Sequence, residues 1–162
     1  MKHYLLEGII DERCLRDFIA FCNQYDEEQK VVFLDSDGGA TSYGMAIANI
    51  INTSPELFTV IAINSIRSCA AELFLMCICR RIVQPGTTAM LHASGREVRV
   101  LNSGIIASEL ERFEVEQLNK NIDRQLNFWA KYGLTESELT DFKMGKDVLI
   151  PYLRLKEMAD NG

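Results

Sequence analysis

The chain has 162 residues, of which 48% are apolar and 25% charged, and its formal net charge is −6. This length fits one domain, and the composition is that of a globular protein rather than a disordered chain. The acidic balance argues against a nucleic-acid-binding protein, which would carry a basic face. No apolar run reaches the ~18 residues of a membrane span, so we expect neither nucleic acid nor membrane as a partner.

The N-terminal residues and the cysteines indicate the cellular compartment. The start, Met1-Lys2-His3-Tyr4, lacks the architecture of a signal peptide, so we expect a cytoplasmic protein. An odd number of cysteines without CxxC spacing argues against a disulfide framework and a structural zinc site. These residues are Cys14, Cys22, Cys69, Cys77 and Cys79. We therefore expect no metal and no cofactor.

Strands and helices alternate through the first half of the sequence. Apolar runs predict strands over residues 4–10, 31–34 and 58–63, and the second run is continuous, as in a strand covered on both faces. Asp11 is placed to cap a helix whose apolar residues recur at helical spacing. Further helices are predicted over residues 40–52 and 68–79.

The second half continues the alternation. Short strands are predicted over residues 81–83 and 87–91, followed by a long amphipathic helix over residues 104–132. Gly133 is in the position that ends a helix, and Thr135 with Glu138 forms the pattern of a capping box. Residues 147–160 are predicted to hold a short strand or turn and a last helix.

Alternating elements of this kind predict an α/β fold with a mostly parallel central sheet. Ligands of such sheets bind at the carboxyl ends of the strands. Three segments meet this description: residues 35–39, residues 64–68 and the stretch that begins at His92. These segments are where we expect the chemistry.

Each segment allows a structural and a functional interpretation. His92 could be a structural or solvated side chain or a general base, and Ser68 could be a helix N-cap or a nucleophile. Gly38-Gly39 is either a simple turn or a source of backbone N–H groups for an oxyanion or a phosphate. Asp35 and Asp37 resemble half of a calcium loop, but the other ligand positions are missing.

The order of these motifs is more specific than any one of them. Gly38-Gly39 is followed by Gly44-Met45-Ala46-Ile47, then Ser68-Cys69-Ala70-Ala71, then Met90-Leu91-His92 and Lys146-Asp147. This order resembles the proteolytic subunits of the Clp protease family, in the Clp-protease/crotonase superfamily. The resemblance runs through nearly the whole chain from Tyr4, and it includes an opening similar to the family's Asn-Gly-x-Ile-Asp at residues 7–11.

The resemblance implies a fold and a catalytic apparatus. It implies a single domain over residues 1–162, built as a repeated β-β-α superhelix, with a head (residues 1–100 and 134–162) and a long "handle" helix (residues 104–132). It also implies a serine endopeptidase with Ser68 as nucleophile, His92 as base and Asp147 orienting the histidine. Backbone N–H groups of Gly39 and Cys69 would form the oxyanion hole.

The chain departs from the family pattern in three places. Asp37 stands where the family has proline, Arg67 replaces a small residue before the nucleophile, and Ala93-Ser94-Gly95 replaces a polar-Pro sequence after the histidine. A shift of one residue makes Cys69 the alternative nucleophile, since a thiolate beside a histidine is also competent. Two other hypotheses remain open: a catalytically inactive scaffold subunit, and a crotonase-like acyl-CoA enzyme.

The resemblance also implies partners. Peptides or unfolded proteins would be the substrates, and a self-compartmentalised homo-oligomer would hold the sites, with stacked heptameric rings as the family arrangement. An apolar stripe along the handle would need a second helix to bury it. Because Tyr4 already begins the first strand, we expect no axial segment for docking on an ATPase unfoldase, as in a short phage- or element-borne member. The ATP dependence of the peptidase is therefore left open.

Overall fold

The structure is a computed structural model that describes residues 1–93 and 109–161. Two compact units make up the chain, one of Met1–Met90 with Leu149–Gly162 and the other of Leu91–Val148. The predicted head and handle of a single domain use other boundaries, and that division stays a prediction.

The described residues contain six strands and six α-helices. In chain order they are β1 (Lys2–Ile10), α1 (Glu12–Gln24), β2 (Lys30–Gly39), α2 (Thr41–Thr53), β3 (Phe58–Arg67), α3 (Cys69–Met76), β4 (Arg80–Val83), β5 (Thr88–Leu91), α4 (Glu109–Lys131), α5 (Glu136–Lys143), β6 (Val148–Ile150) and α6 (Tyr152–Asn161). The predicted α/β class is confirmed. The β-β-α superhelix and the handle stay predictions, and residues 104–108 of the predicted long helix lie outside the described residues.

The strands form one sheet in the order β1–β2–β3–β5–β6, and β4 pairs with the first half of β3. Four strand pairs are parallel: β1 with β2, β2 with β3, β3 with β4, and β3 with β5. In parallel pairs the carboxyl ends of the strands lie together, so the last residues of β2 and β3 are neighbours. This edge of the sheet holds Gly38 and the start of α3.

The core of the first unit lies between the sheet and α1 to α3. Alternate residues of the first three strands are fully buried, as expected for the inner face of a sheet. They include Leu6, Ile10, Val32, Leu34, Val60 and Ala62, packed with Phe18, Ile47 and Ile51 of the helices. The opposite face is more open, because Leu5 is 50% exposed, and both its register partner Phe33 and Ile61, the partner of Phe33 on β3, are half-buried. The expectation that residues 31–34 are covered on both faces is therefore wrong at Phe33.

Local sequence signals fix several element ends. The Asp11 carboxylate accepts a hydrogen bond from the backbone N–H of Cys14 at 2.9 Å and begins α1. Thr135 and Glu138 make both hydrogen bonds of the capping box that begins α5. Gly133 has φ +87° after α4, the left-handed conformation that glycine adopts readily. All three predicted end signals are confirmed.

Strands β2 and β3 run further than predicted. The predicted strands ended at residues 34 and 63, but residues 35–39 and residues 64–67 of the segment 64–68 are the last residues of β2 and β3. A bulge lies between them, since the register passes from Leu34↔Ala62 directly to Ser36↔Ile66. Asp35 stabilises the two extra residues by accepting hydrogen bonds from Asn64 Nδ2 (2.7 Å) and the Ser65 N–H (3.4 Å). The bulge thus sets where β3 ends and α3 begins.

Candidate active site

Ser68 occupies a strained turn between β3 and α3. Its φ is 51° and its ψ −126°, a conformation that a residue with a side chain adopts at a cost of about 1–3 kcal/mol. The Ser68 N–H donates to the Met90 carbonyl at 2.8 Å, and its own carbonyl accepts from the Ala71 N–H at 3.1 Å. These bonds hold the strained backbone in place. A strained strand-to-helix turn is the arrangement that presents a nucleophilic serine in other hydrolases.

Gly38 closes the other side of this turn. A Cβ at Gly38 would lie 2.6 Å from the Arg67 carbonyl oxygen and 2.8 Å from Ser68 Cβ, so only a hydrogen fits. Gly38 also has φ +91°, and its N–H donates to Ser36 Oγ at 3.0 Å. The resemblance implied an oxyanion hole that includes the Gly39 N–H, and that role stays a prediction; the glycine in direct contact with Ser68 is Gly38. No local signal separates the two glycines, because the contact depends on the bulge in β3.

Gly39 interacts with Cys69. Its backbone N–H interacts with the Cys69 thiol, which lowers the pKa of the thiol, while burial has the larger and opposite effect. Overall, burial raises the pKa of Cys69 to about 11. The side chain is only 2% exposed, and a Cβ at Gly44 would lie 3.5 Å from its Sγ. Cys69 is therefore a buried, protonated thiol at neutral pH.

His92 and Asp147 lie together in the second unit. Nδ1 of His92 is 3.9 Å from Oδ1 of Asp147, and the two side chains are 40% and 61% exposed. This distance exceeds that of a hydrogen bond, so the contact is an ion pair when the imidazole is protonated. Ser68 belongs to the first unit. The convergence of all three residues stays a prediction.

The two departures from the family pattern next to the turn form a pair. Arg67 Nε lies 3.5 Å from Oδ1 of Asp37 and also donates to Ser65 Oγ at 3.2 Å. In the sequence Asp37 and Arg67 are two separate departures from the family pattern, whereas in the structure each charge is compensated by the other. The opposite charges of Asp37 and Arg67, at the ends of two strands predicted to be neighbours, are the sequence signal that could have revealed this ion pair.

The described residues offer few sites for other ligands. Within residues 1–93 and 109–161, no group of three or more His, Cys, Asp or Glu side chains is arranged to hold a metal ion. None of the described helices combines the length and apolarity that crossing a membrane requires.

Comparison with known proteins tests the resemblance seen in the motifs. A search of curated protein sequences finds no match. The sequence model of the Clp protease family matches residues 7–133, which is more than half of the chain and includes Gly38, Ser68 and His92. The chain, with its strained serine turn closed by a glycine, therefore belongs to the Clp protease family.

Proposed function

We propose that the protein is a serine peptidase that hydrolyses peptide bonds through Ser68, His92 and Asp147. Membership of the family supports a peptidase, a hydrolase of the peptide bond. The observation that carries the assignment of the nucleophile is the backbone of Ser68, held at φ 51° between Gly38 and the Met90 carbonyl. Strain of this kind concentrates at functional turns, where the surrounding structure maintains it.

In the proposed mechanism the Ser68 hydroxyl attacks the carbonyl carbon of the scissile bond. His92 accepts the hydroxyl proton at Nε2, because its Nδ1 is turned toward Asp147. The Asp147 carboxylate orients the ring and stabilises the imidazolium that forms. His92 then gives the proton to the leaving amine, and water hydrolyses the acyl-enzyme by the same sequence of steps.

Backbone N–H groups of Gly39 and Cys69 would bind the oxyanion of the tetrahedral intermediate, the Gly39 N–H exchanging the Cys69 thiol for the oxyanion. Cys69 begins α3, and the partial positive charge of a helix N-terminus favours an anion beside it. The closed contact between Gly38 and Ser68 keeps the glycine segment beside the nucleophile. Pre-positioned donors of this type account for a large part of catalysis in acyl transfer.

Ser68 is favoured over Cys69 by burial and by protonation. Ser68 is half-buried, whereas Cys69 is 2% exposed, with a pKa of about 11. A thiol acts as a nucleophile in its thiolate form, which is scarce four pH units below the pKa. The inactive-scaffold hypothesis is weakened as well, because Asp37 and Arg67 compensate each other. A crotonase-like acyl-CoA reaction would need no Ser-His-Asp set, so the presence of all three residue types disfavours it.

The substrates we propose are peptides or unfolded proteins. We further propose a homo-oligomer, with stacked heptameric rings as the family arrangement, in the cytoplasm. An ATPase unfoldase is the partner to test, since the sequence leaves it open.

A set of three variants tests the nucleophile. Ser68→Ala should lower cleavage of a fluorogenic peptide at least ~10³-fold, as expected for loss of a triad nucleophile. Cys69→Ala should retain most of the activity, and Ser137→Ala, at an exposed serine of α5, should match the wild type. Labelling by a fluorophosphonate should depend on Ser68.

Two results would contradict the proposal. Loss of activity in Cys69→Ala, with activity retained in Ser68→Ala, would make the protein a cysteine peptidase. A wild type that neither cleaves peptides nor reacts with the probe, alone or with an added unfoldase, would support an inactive scaffold.

A further inference from the structure

We propose that Asp37 and Arg67 are a positioning pair that holds the Ser68 turn against the glycine segment. This inference rests on the proposed peptidase function for its effect on turnover. The ion pair joins the ends of two strands, since Asp37 belongs to β2 and Arg67 to β3. Each member is the chain neighbour of one of the two residues in closest contact, Gly38 and Ser68.

The pair begins where the backbone pairing of the strands ends. The register of β2 with β3 finishes at Ser36↔Ile66, and Asp37 and Arg67 are the next residue of each strand. Beyond this point the Asp37 carboxylate and the Arg67 guanidinium connect the strands, Nε to Oδ1 at 3.5 Å. The side-chain contact therefore continues the connection by one residue, up to the turn itself.

A second contact fixes the guanidinium. Arg67 Nε donates to Ser65 Oγ at 3.2 Å, and the Ser65 N–H donates to Oδ1 of Asp35 at 3.4 Å. Arg67 is thus connected to β2 twice, directly through Asp37 and indirectly through Ser65 and Asp35. Residues 35, 37, 65 and 67 occupy alternate positions of the two strands, and these contacts connect them through their side chains and the Ser65 backbone N–H.

The expected effect is on turnover more than on stability. The side chains of Arg67 and Asp37 are 46% and 78% exposed, and exposed ion pairs contribute little to the free energy of unfolding. Catalysis is more sensitive, because small displacements of a nucleophile reduce the rate strongly. A positioning pair should therefore change kcat and leave KM and thermal stability close to those of the wild type.

The experiment is a double-mutant cycle measured with a fluorogenic peptide. Arg67→Ala and Asp37→Ala should each lower kcat about threefold, and the double variant should be no worse than either single one. The double variant Asp37→Arg/Arg67→Asp, which reverses the charges, should have a higher kcat than either single alanine variant. Arg13→Ala and Asp17→Ala provide the matched control, because Arg13 Nε pairs with Asp17 at 3.7 Å on the exposed face of α1.

Amide hydrogen exchange provides a readout that does not depend on peptidase activity. Exchange over residues 64–70 should become faster in Arg67→Ala and Asp37→Ala and stay unchanged in the two control variants. Unchanged exchange in both pair variants would overturn the proposal. So would opposite effects on kcat, with Asp37→Ala faster and Arg67→Ala slower than wild type, since these would indicate a charge effect on the oxyanion.

Failure of the proposed function has a different signature. Peptide cleavage would then be absent or independent of Ser68, while exchange over residues 64–70 would still respond to the pair.

Discussion

Two adjacent residues, Ser68 and Cys69, have different surroundings because of one change in backbone direction. Ser68 lies in the strained turn, and Cys69 begins α3 with its thiol directed into the protein beside Gly44. A protein that buries a thiol in this way keeps it protonated, since burial penalises the charged form. This difference predicts a pH dependence of stability.

The free energy of unfolding should fall as pH rises from about 9 to about 11. The pKa of Cys69 is raised from 9.0 to about 11 in the folded state, so the unfolded chain releases this proton first. The stabilisation from the protonated thiol is complete below pH 9 and is lost as pH rises through 11. It is on the order of 2 kcal/mol at its largest. Urea unfolding at several pH values should show a shallower fall in Cys69→Ala, and equal slopes would contradict this account.

The elements that carry the site depend on one contact between strand ends. Gly38 in β2 and Ser68 after β3 approach so closely that a single methyl group would force one of them to move. Gly86 has nearly the same φ, +88° against +91°, but a Cβ there would meet nothing within 4 Å. Substituting Gly86 therefore measures the cost of the backbone conformation alone, and substituting Gly38 measures that cost together with the cost of the steric contact.

Gly38→Ala should destabilise the protein more than Gly86→Ala. The cost of positive φ, ~1–2 kcal/mol, applies to both variants, and overpacking should add ~1–3 kcal/mol at Gly38 alone. Gly38→Ala should also lose most peptidase activity, whereas Gly86→Ala should keep it. Thermal unfolding and peptide cleavage measure the two effects. Equal stability of the two variants would show that the contact between Gly38 and Ser68 leaves room for a methyl group, contrary to this account.

Local patterns predicted the elements, and long-range contacts determined the site. The cap at Asp11 and the capping box at Thr135 depend on residues three apart, so the sequence alone reveals them. The extended ends of β2 and β3 depend on a bulge held by Asp35, which lies 29 residues from its partner Asn64. The hydrophobic periodicity of the two strands does not predict that contact. The family pattern suggested the glycine segment and Ser68 but could not indicate which glycine touches the serine.

Apolar surface on β1 and α4 indicates where other copies of the chain would bind in the proposed homo-oligomer. On the edge strand β1, Leu5 is 50% exposed and Ile9 70% exposed. On α4, Ile122 and Trp129 are buried, at 4% and 2% exposure, while Leu118 is half-buried. The stripe on this helix is therefore partly covered within one chain, and Leu118 is the better residue for testing assembly.

Light scattering should give a mass well above the 18.4 kDa of one chain at micromolar concentration. Leu118→Asp should lower this mass while circular dichroism stays unchanged, because a charge would be placed at the edge of the covered stripe. Ile122→Asp should unfold the protein, since it buries a charge. Asn121→Asp, at an exposed position of α4, should behave as wild type. A wild-type mass near that of one chain would refute the homo-oligomer.

The steric closure between Gly38 and Ser68 also limits how this sequence can vary. Position 38 accepts no side chain, and position 68 must tolerate a left-handed backbone, so neither is free to change. Positions 37 and 67 carry side chains that reach solvent, so side chains of other sizes fit at both. Substitutions around the turn should therefore be tolerated at positions 37 and 67 and not at positions 38 and 68. Asp37 and Arg67 carry opposite charges, so a substitution at one of them changes the electrostatic surroundings of the other.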